Sequence, residues 1–183
     1  MHKLRLLTLV ALAGLVVVSV AAARPVIIRG TNHDDVLTGT PGNDIIFAKA
    51  GNDAVSALAG NDRIFAARGD DTVDGGPGND RIFGGPGNDV LNGSDGNDLI
   101  RGRQGDDNVD GGPGNDRLWV GAGADVENGG DGNDVLHALA RDHQVDTLDC
   151  GSGYDAVWLN ASEQDTQVNC EVVHVVSTLT PGG

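Results

Sequence analysis

Large side chains are scarce in this sequence: aromatic residues make up 3% of its 183 positions, Met occurs once, and Gly takes 29. A globular core filled by big apolar groups is excluded by that composition. Positive charge is scarce too. Lys and Arg number 12 against 27 Asp and Glu, leaving a formal charge of −15. Nucleic acid and anionic membrane surfaces are therefore poor partners, and cations are the natural ones. Cysteine occurs only at Cys150 and Cys170, too few for a Cys-rich zinc site, and His2, His33, His137, His143 and His174 show no ligand spacing. Neither an HExxH helix nor a GxSxG nucleophile elbow is present, so no enzyme activity is expected. After the N-terminal apolar run no stretch of about 20 apolar residues follows, and no membrane insertion is expected.

What the chain has instead is a beat of nine, clearest where GGPGNDRIF (75–83) is followed at once by GGPGNDVLN (84–92). Counting in nines places repeat starts at Gly30, Gly39, Ala48, Ala57, Ala66, Gly75, Gly84, Gly93, Gly102, Gly111, Val120 and Gly129. The sixth position is then always aspartate: Asp35, Asp44, Asp53, Asp62, Asp71, Asp80, Asp89, Asp98, Asp107, Asp116, Asp125 and Asp134. Half of the chain's aspartates fall on this one position, which chance does not supply. The eighth position is aliphatic from Leu37 to Leu118 and again at Leu136, with Glu127 as the exception.

The first six positions, rich in Gly, Pro, Asn and Asp, suit a tight turn with positive φ angles. Positions seven to nine are too few for a helix and predict a short strand whose eighth side chain points inward. Two repeats then make one coil. Position nine supports the doubling: Phe47, Phe65, Phe83, Arg101 and Trp119 recur at every second repeat, while the alternate repeats carry Thr38, Ser56, Asp74, Asn92, Asp110 and Asn128. Position seven follows suit with Arg63, Arg81 and Arg117. Stacked coils bury a thin aliphatic ladder and need no bulky core.

Residues 1–23 have a basic start, an apolar run from Leu6 to Val18 and a small-residue end, which predicts a signal peptide cleaved after Ala23 and a secreted, extracellular product. Residues 24–29 form an extended lead over the first rung, and 30–137 hold twelve nonapeptides. Ala138 to Ala140 break the count, and 138–158 are a degenerate last coil with Asp146 and Asp155 on the beat. Residues 159–183 are a cap and tail, with Val168, Val172, Val173, Val175 and Val176 available to cover the final rung. Cys150 and Cys170 are expected to join as a disulfide that staples this cap, a closure worth about 3 kcal/mol.

The GGxGxD pattern with an apolar residue two places on resembles the RTX, or haemolysin-type, calcium-binding repeat family, strongly over 30–137 and weakly over 141–158. The resemblance implies an all-β, right-handed parallel β-roll, here of about six to seven coils, with several Ca²⁺ ions between the turns of adjacent coils. Chemistry agrees with it. Ca²⁺ takes six to eight hard oxygens from carboxylates and carbonyls, and magnesium suits such a cage poorly. All twelve aspartates are candidate ligands, strongest at Asp71, Asp80, Asp89, Asp98, Asp107 and Asp116. Backbone carbonyls are expected near Gly75, Gly76, Gly78, Gly84, Gly85, Gly87, Gly93, Gly96, Gly102, Gly105, Gly111, Gly112 and Gly114. Aspartates one coil apart, such as Asp80 with Asp98, are expected to share an ion. Asn and Asp at position five are assigned a turn role, as residues that tolerate left-handed backbone. The leading glycines are replaced at Ala48-Lys49, Ala57-Leu58 and Ala66-Ala67, so binding is expected to be weaker at Asp53 and Asp62. At Glu127 the strand is expected to slip so that Val126 faces inward.

These features point to a secreted, monomeric, calcium-folded structural or interaction protein. The second candidate is an adhesin that binds an extracellular glycan or cell-surface component through the Phe, Trp and Arg face. An accessory domain of an exported hydrolase ranks third.

Overall fold

The computed structural model describes residues 25–140 and 142–176. The expected leader with its cleavage point, Arg141 and residues 177–183 lie outside them. The chain lays down β1 (Ile27–Arg29), β2 (Val36–Thr38), β3 (Ile45–Ala50), β4 (Ala54–Ser56), β5 (Arg63–Arg68) and β6 (Thr72–Asp74). The same alternation continues with β7 (Arg81–Pro86), β8 (Val90–Asn92), β9 (Leu99–Gln104), β10 (Asn108–Pro113), β11 (Arg117–Ala122) and β12 (Val126–Gly132). It ends with β13 (Val135–Ala138), β14 (Thr147–Asp149), β15 (Ser152–Gly153), β16 (Ala156–Asn160), β17 (Thr166–Val168) and β18 (Val172–Val176).

Successive strands alternate between two parallel sheets, the arrangement of a β-solenoid. The first sheet has the order β1-β3-β5-β7-β9-β11-β13-β16-β18, and the second runs β2-β4-β6-β8-β10-β12-β14-β17, with β15 also on β12. Register advances by two nonapeptides per coil, so Ile64 lies on Ile82, Ile82 on Ile100 and Leu118 on Ile100. Those inward residues are fully buried, as is the facing ladder of Val73, Leu91 and Val109. The shortest strands, such as β6, place one side chain in the core and two outside it, while six-residue strands such as β5 run on into the turn and bury a second, small residue, Ala66.

The insertion at Ala138–Ala140 lengthens one coil, so Leu136 pairs with Val157, but both sheets continue. The tail does the same. Residues expected as a cover form β17 on β14 and β18 on β16, which brings the solenoid to about eight turns. Val173 and Val175 take inward register yet remain 41% and 60% exposed. Cys150 and Cys170 are joined, Cα to Cα 5.2 Å, tying the turn after β14 to the turn after β17.

Along the outside of the first sheet the rings of Phe47, Phe65 and Phe83 stack at 5.1 and 5.0 Å. Trp119 on His137 and Trp158 on His174 continue the column at 4.8 and 4.1 Å. His137 keeps the beat but escapes a search for Phe and Trp. The insertion hides Trp158 from the count, and the shorter last step hides His174.

Candidate metal-binding turns

From the third repeat to the twelfth, each turn takes positive φ at its second and fourth positions, as at Gly76 (83°) and Gly78 (150°). The fourth is Gly in every turn from Gly51 to Gly132, and contact explains it: a Cβ on Gly78 would overlap the Gly60 carbonyl of the coil before. The second position is less strict. Lys49 (92°), Leu58 (72°), Ala67 (91°), Ser94 (71°) and Arg103 (100°) adopt the same backbone with a side chain present, a strain of about 1–2 kcal/mol each.

This turn carries the position-six aspartate inward, where it is buried in all twelve repeats. From Asp53 to Asp134, one carboxylate oxygen of each is fixed by the neighbouring coil. The Asp80 N–H donates to Asp98 Oδ1 at 2.7 Å, Asp98 to Asp116 at 2.7 Å, Asp71 to Asp89 at 2.9 Å and Asp89 to Asp107 at 2.9 Å. The same bond joins Asp35 to Asp53, Asp44 to Asp62, Asp53 to Asp71 and Asp62 to Asp80. It also joins Asp107 to Asp125 and Asp116 to Asp134. Aspartates one coil apart are thus neighbours, joined by a backbone N–H to a carboxylate oxygen.

The second oxygen has no such partner. Oδ2 of Asp53, Asp62, Asp71, Asp80, Asp89, Asp98, Asp107, Asp116, Asp125 and Asp134 is buried without a hydrogen bond. Burial is the main reason the carboxyls of Asp80, Asp89, Asp98, Asp107 and Asp116 rise to about 7, opposed by the backbone N–H and reinforced by neighbouring carboxylates. Asp62, Asp71, Asp125 and Asp134 rise to about 6 for the same causes. Asp53 moves in the same direction. An acceptor-only oxygen held away from water needs a proton or a cation.

Hard oxygens crowd the leading glycine. A methyl placed on Gly111 would sit 2.6 Å from both Asp116 Oδ2 and the Gly129 carbonyl, so two hard oxygens converge on one point. The same pairing of oxygens surrounds Gly75 and Gly93. At Ala48, Ala57, Ala66 and Val120 a buried side chain grows from this position. Among the described residues no three His, Cys, Asp or Glu side chains gather at one point, so a cation here must draw the rest of its shell from backbone.

This repeated donor set is matched by the family model of the RTX calcium-binding nonapeptide repeat, at residues 29–64, 56–91, 83–118, 92–127 and 101–136. The chain belongs to the RTX calcium-binding repeat family. It is a calcium-binding structural repeat protein of β-roll architecture. None of the curated proteins matches it.

Within this RTX roll the first two turns differ from the rest. Thr31 and Thr40 occupy the second position, and their backbone N–H and hydroxyl groups hold Oδ2 of Asp35 and Asp44. Those two aspartates already have a donor at the oxygen that is orphaned elsewhere.

Position five does not serve the left-handed turn role assigned to it. Positive φ falls at other positions, and the Asn and Asp side chains form a second ladder instead. The N–H of Asn61 donates to Asn43 Oδ1, Asn79 to Asn61 and Asn97 to Asn79, at 2.9, 2.8 and 2.7 Å. A planar side-chain carbonyl one strand spacing away suits this bond equally from Asn or Asp, which is why both occur.

The slip expected at Glu127 is absent. Asn108 pairs with Val126 and Val109 with Glu127; Val126 is 48% exposed and Glu127 is buried. A slip would uncouple Asp125 from Asp107 and Asp134 from Asp116, so the two ladders hold register and the acid is carried inward. Burial drives the Glu127 carboxyl well above its usual value, with the Asp146 charge adding to the shift. Both of its oxygens lack partners.

The aspartate ladder also outruns the twelve repeats. Asp125 donates to Asp146, Asp134 to Asp155 and Asp146 to Asp165, and Glu171 takes over as acceptor for Asp155. Oδ2 of Asp155 and Asp165 is orphaned as well. Asp146 and Asp155 keep the beat in the sequence but fall outside the twelve predicted ligands, and Asp165 carries no signal because its coil steps by 19 residues.

Proposed function

We propose that the protein is secreted, has no catalytic role, and completes its β-roll by taking up several Ca²⁺ ions between stacked turns. The observation that carries this is the row of buried aspartate oxygens without a donor, repeated turn after turn. Asp80, Asp89, Asp98, Asp107 and Asp116 would hold the ions best, together with carbonyls of the glycine turns around Gly75, Gly84, Gly93, Gly102 and Gly111. Asp71 is weaker than its place in the sequence suggests, because Ala66 fills the position beside its carboxylate. Asp35 and Asp44 are the weakest, since Thr31 and Thr40 already serve them. Bound calcium supplies the positive charge that these carboxylates lack, and Oδ1 stays with the neighbouring backbone N–H, so filling a site also clamps two coils. Extracellular calcium modules work at about 10⁻⁴ to 10⁻³ M.

The test is a calcium titration of the chelated protein near pH 7.5, followed by far-ultraviolet circular dichroism. The β-sheet signal should rise cooperatively with calcium, with magnesium ineffective. A chain fully folded in chelator, or one folded equally well by magnesium, would overturn the proposal.

A further inference from the structure

We propose that the outer face of the first sheet docks a linear polysaccharide bearing carboxylates along its length. The nine strands of this sheet contain no Asp or Glu, in a chain whose formal charge is −15. Every Lys and Arg among the described residues lies on them. The second sheet is the reverse: its strands carry no Lys or Arg and hold Asp74, Asp110, Glu127, Asp131 and Asp149.

Folding alone does not account for this placement. Arg63 lies directly beside Arg81 in register, and both are exposed. Like charges directly opposite on a sheet are destabilising. Arg117 continues the row two strands on, separated from Arg81 by Leu99. Beside this row Arg101 and Arg103 reach over Phe83 at 6.0 and 5.9 Å, and Arg101 lies 5.0 Å over Trp119. Guanidinium groups spaced by the strand repeat present planar forks that pair bidentately with carboxylates. The rung spacing is of the order of one sugar residue. A hollow of about 220 Å³ between Phe65, Phe83, Arg68 and Arg103 adds a concave flank.

The ring column narrows the choice of partner. Interplanar angles of 8° and 7° along Phe47, Phe65 and Phe83, and 2° between Trp119 and His137, show that ring faces are used by their neighbours. Neutral sugars and nucleic-acid bases both need open aromatic faces to stack on. What the sheet leaves free is ring edges and cations, which suit an acidic sugar chain.

Titration of the calcium-loaded protein with a short oligogalacturonate, by calorimetry, tests this. The proposal depends on the calcium reading only for a folded roll, so circular dichroism of the same sample separates the two: an unfolded roll in calcium counts against the earlier reading, and a folded roll that fails to bind counts against this one. Binding should saturate and weaken with salt, and dextran should not bind. R63Q, R81Q and R117Q together should weaken binding at least ten-fold with the calcium titration unchanged and the melting temperature equal or higher. If that variant misfolds, R101Q with R103Q should weaken binding in its place. D74N with D110N on the second sheet should leave binding unchanged, and a loss there would mean calcium bridging and overturn the proposal. It is overturned equally by undiminished affinity in the Arg variants, by dextran binding as well, by a single-stranded oligonucleotide competing on equal terms, or by sedimentation showing self-association that the Arg variants abolish.

Discussion

The first two turns and the central turns differ in backbone, only the latter taking positive φ at their second and fourth positions, and they satisfy their aspartates in opposite ways. At Asp44 the hydroxyl and N–H of Thr40 reach Oδ2 from within the same turn. At Asp98 the equivalent oxygen has no donor, although its Oδ1 is held as firmly by Asp80. The hydroxyl and the backbone N–H of the Thr turn together let a coil close by itself, whereas the central turn depends on a cation. The start of the roll is self-sufficient, and its middle is conditional.

The largest effect expected from this contrast comes from removing calcium. With Asp80 to Asp116 raised to about 7 in the folded state from an ordinary 3.8, the fold binds more protons than the unfolded chain between those values. Ion-free stability is therefore fully present at low pH and is lost as pH rises from about 4 to about 7. Chelated protein should show a strong β signal by circular dichroism near pH 4.5 and lose most of it by pH 8, and calcium should restore it at pH 8. A chelated roll equally stable at both values would remove the distinction between the two kinds of turn.

Next in size is D98A set against D44A. The central change removes an acceptor from the Asp80 N–H and the oxygen beside Gly93, so it should cost at least about 3 kcal/mol in urea unfolding with calcium present and lower calcium stoichiometry by one or two. D44A loses only hydrogen bonds, about 1–2 kcal/mol, with stoichiometry unchanged. E127L, which replaces a buried, partnerless acid by an aliphatic of similar volume, should raise the urea midpoint, a gain of about 1–3 kcal/mol. The smallest effect belongs to T40A. It removes the hydroxyl but leaves the backbone N–H on Asp44 Oδ2, so it should cost about 1 kcal/mol without calcium and leave calcium stoichiometry unchanged, as amide hydrogen exchange in β2 and β4 and calorimetry would report.

Much of this architecture was legible in the sequence, because a strict period forces register. Position eight gave the core from Leu37 to Leu118, and the recurrence of Phe47, Phe65 and Phe83 at alternate repeats gave two unlike sheets. Spacing also paired Asp80 with Asp98. Thr31 and Thr40 went unnoticed because their effect lies in a hydroxyl returning to its own turn, which no count of repeats shows. Glu127 was misplaced because its own burial cost was weighed alone, whereas two hydrogen-bonded ladders lock the strand around it. The last coils were undercounted because steps of 21, 19 and 16 residues break the beat while strand pairing tolerates them.

The two side-chain ladders point in opposite directions. Position six reaches back to the preceding coil, as Asp98 does to Asp80, and position five is reached from the following one, as Asn61 is by Asn79. The central coils therefore offer the same socket on one side and the same plug on the other. Excising residues 75–92 would bring Asp62 against Asp98 and Arg101 over Phe65, restoring the same bonds one coil shorter. The roll can gain or lose length by whole coils while each remaining joint is preserved, which makes the number of ion sites a property of gene duplication and not of redesign.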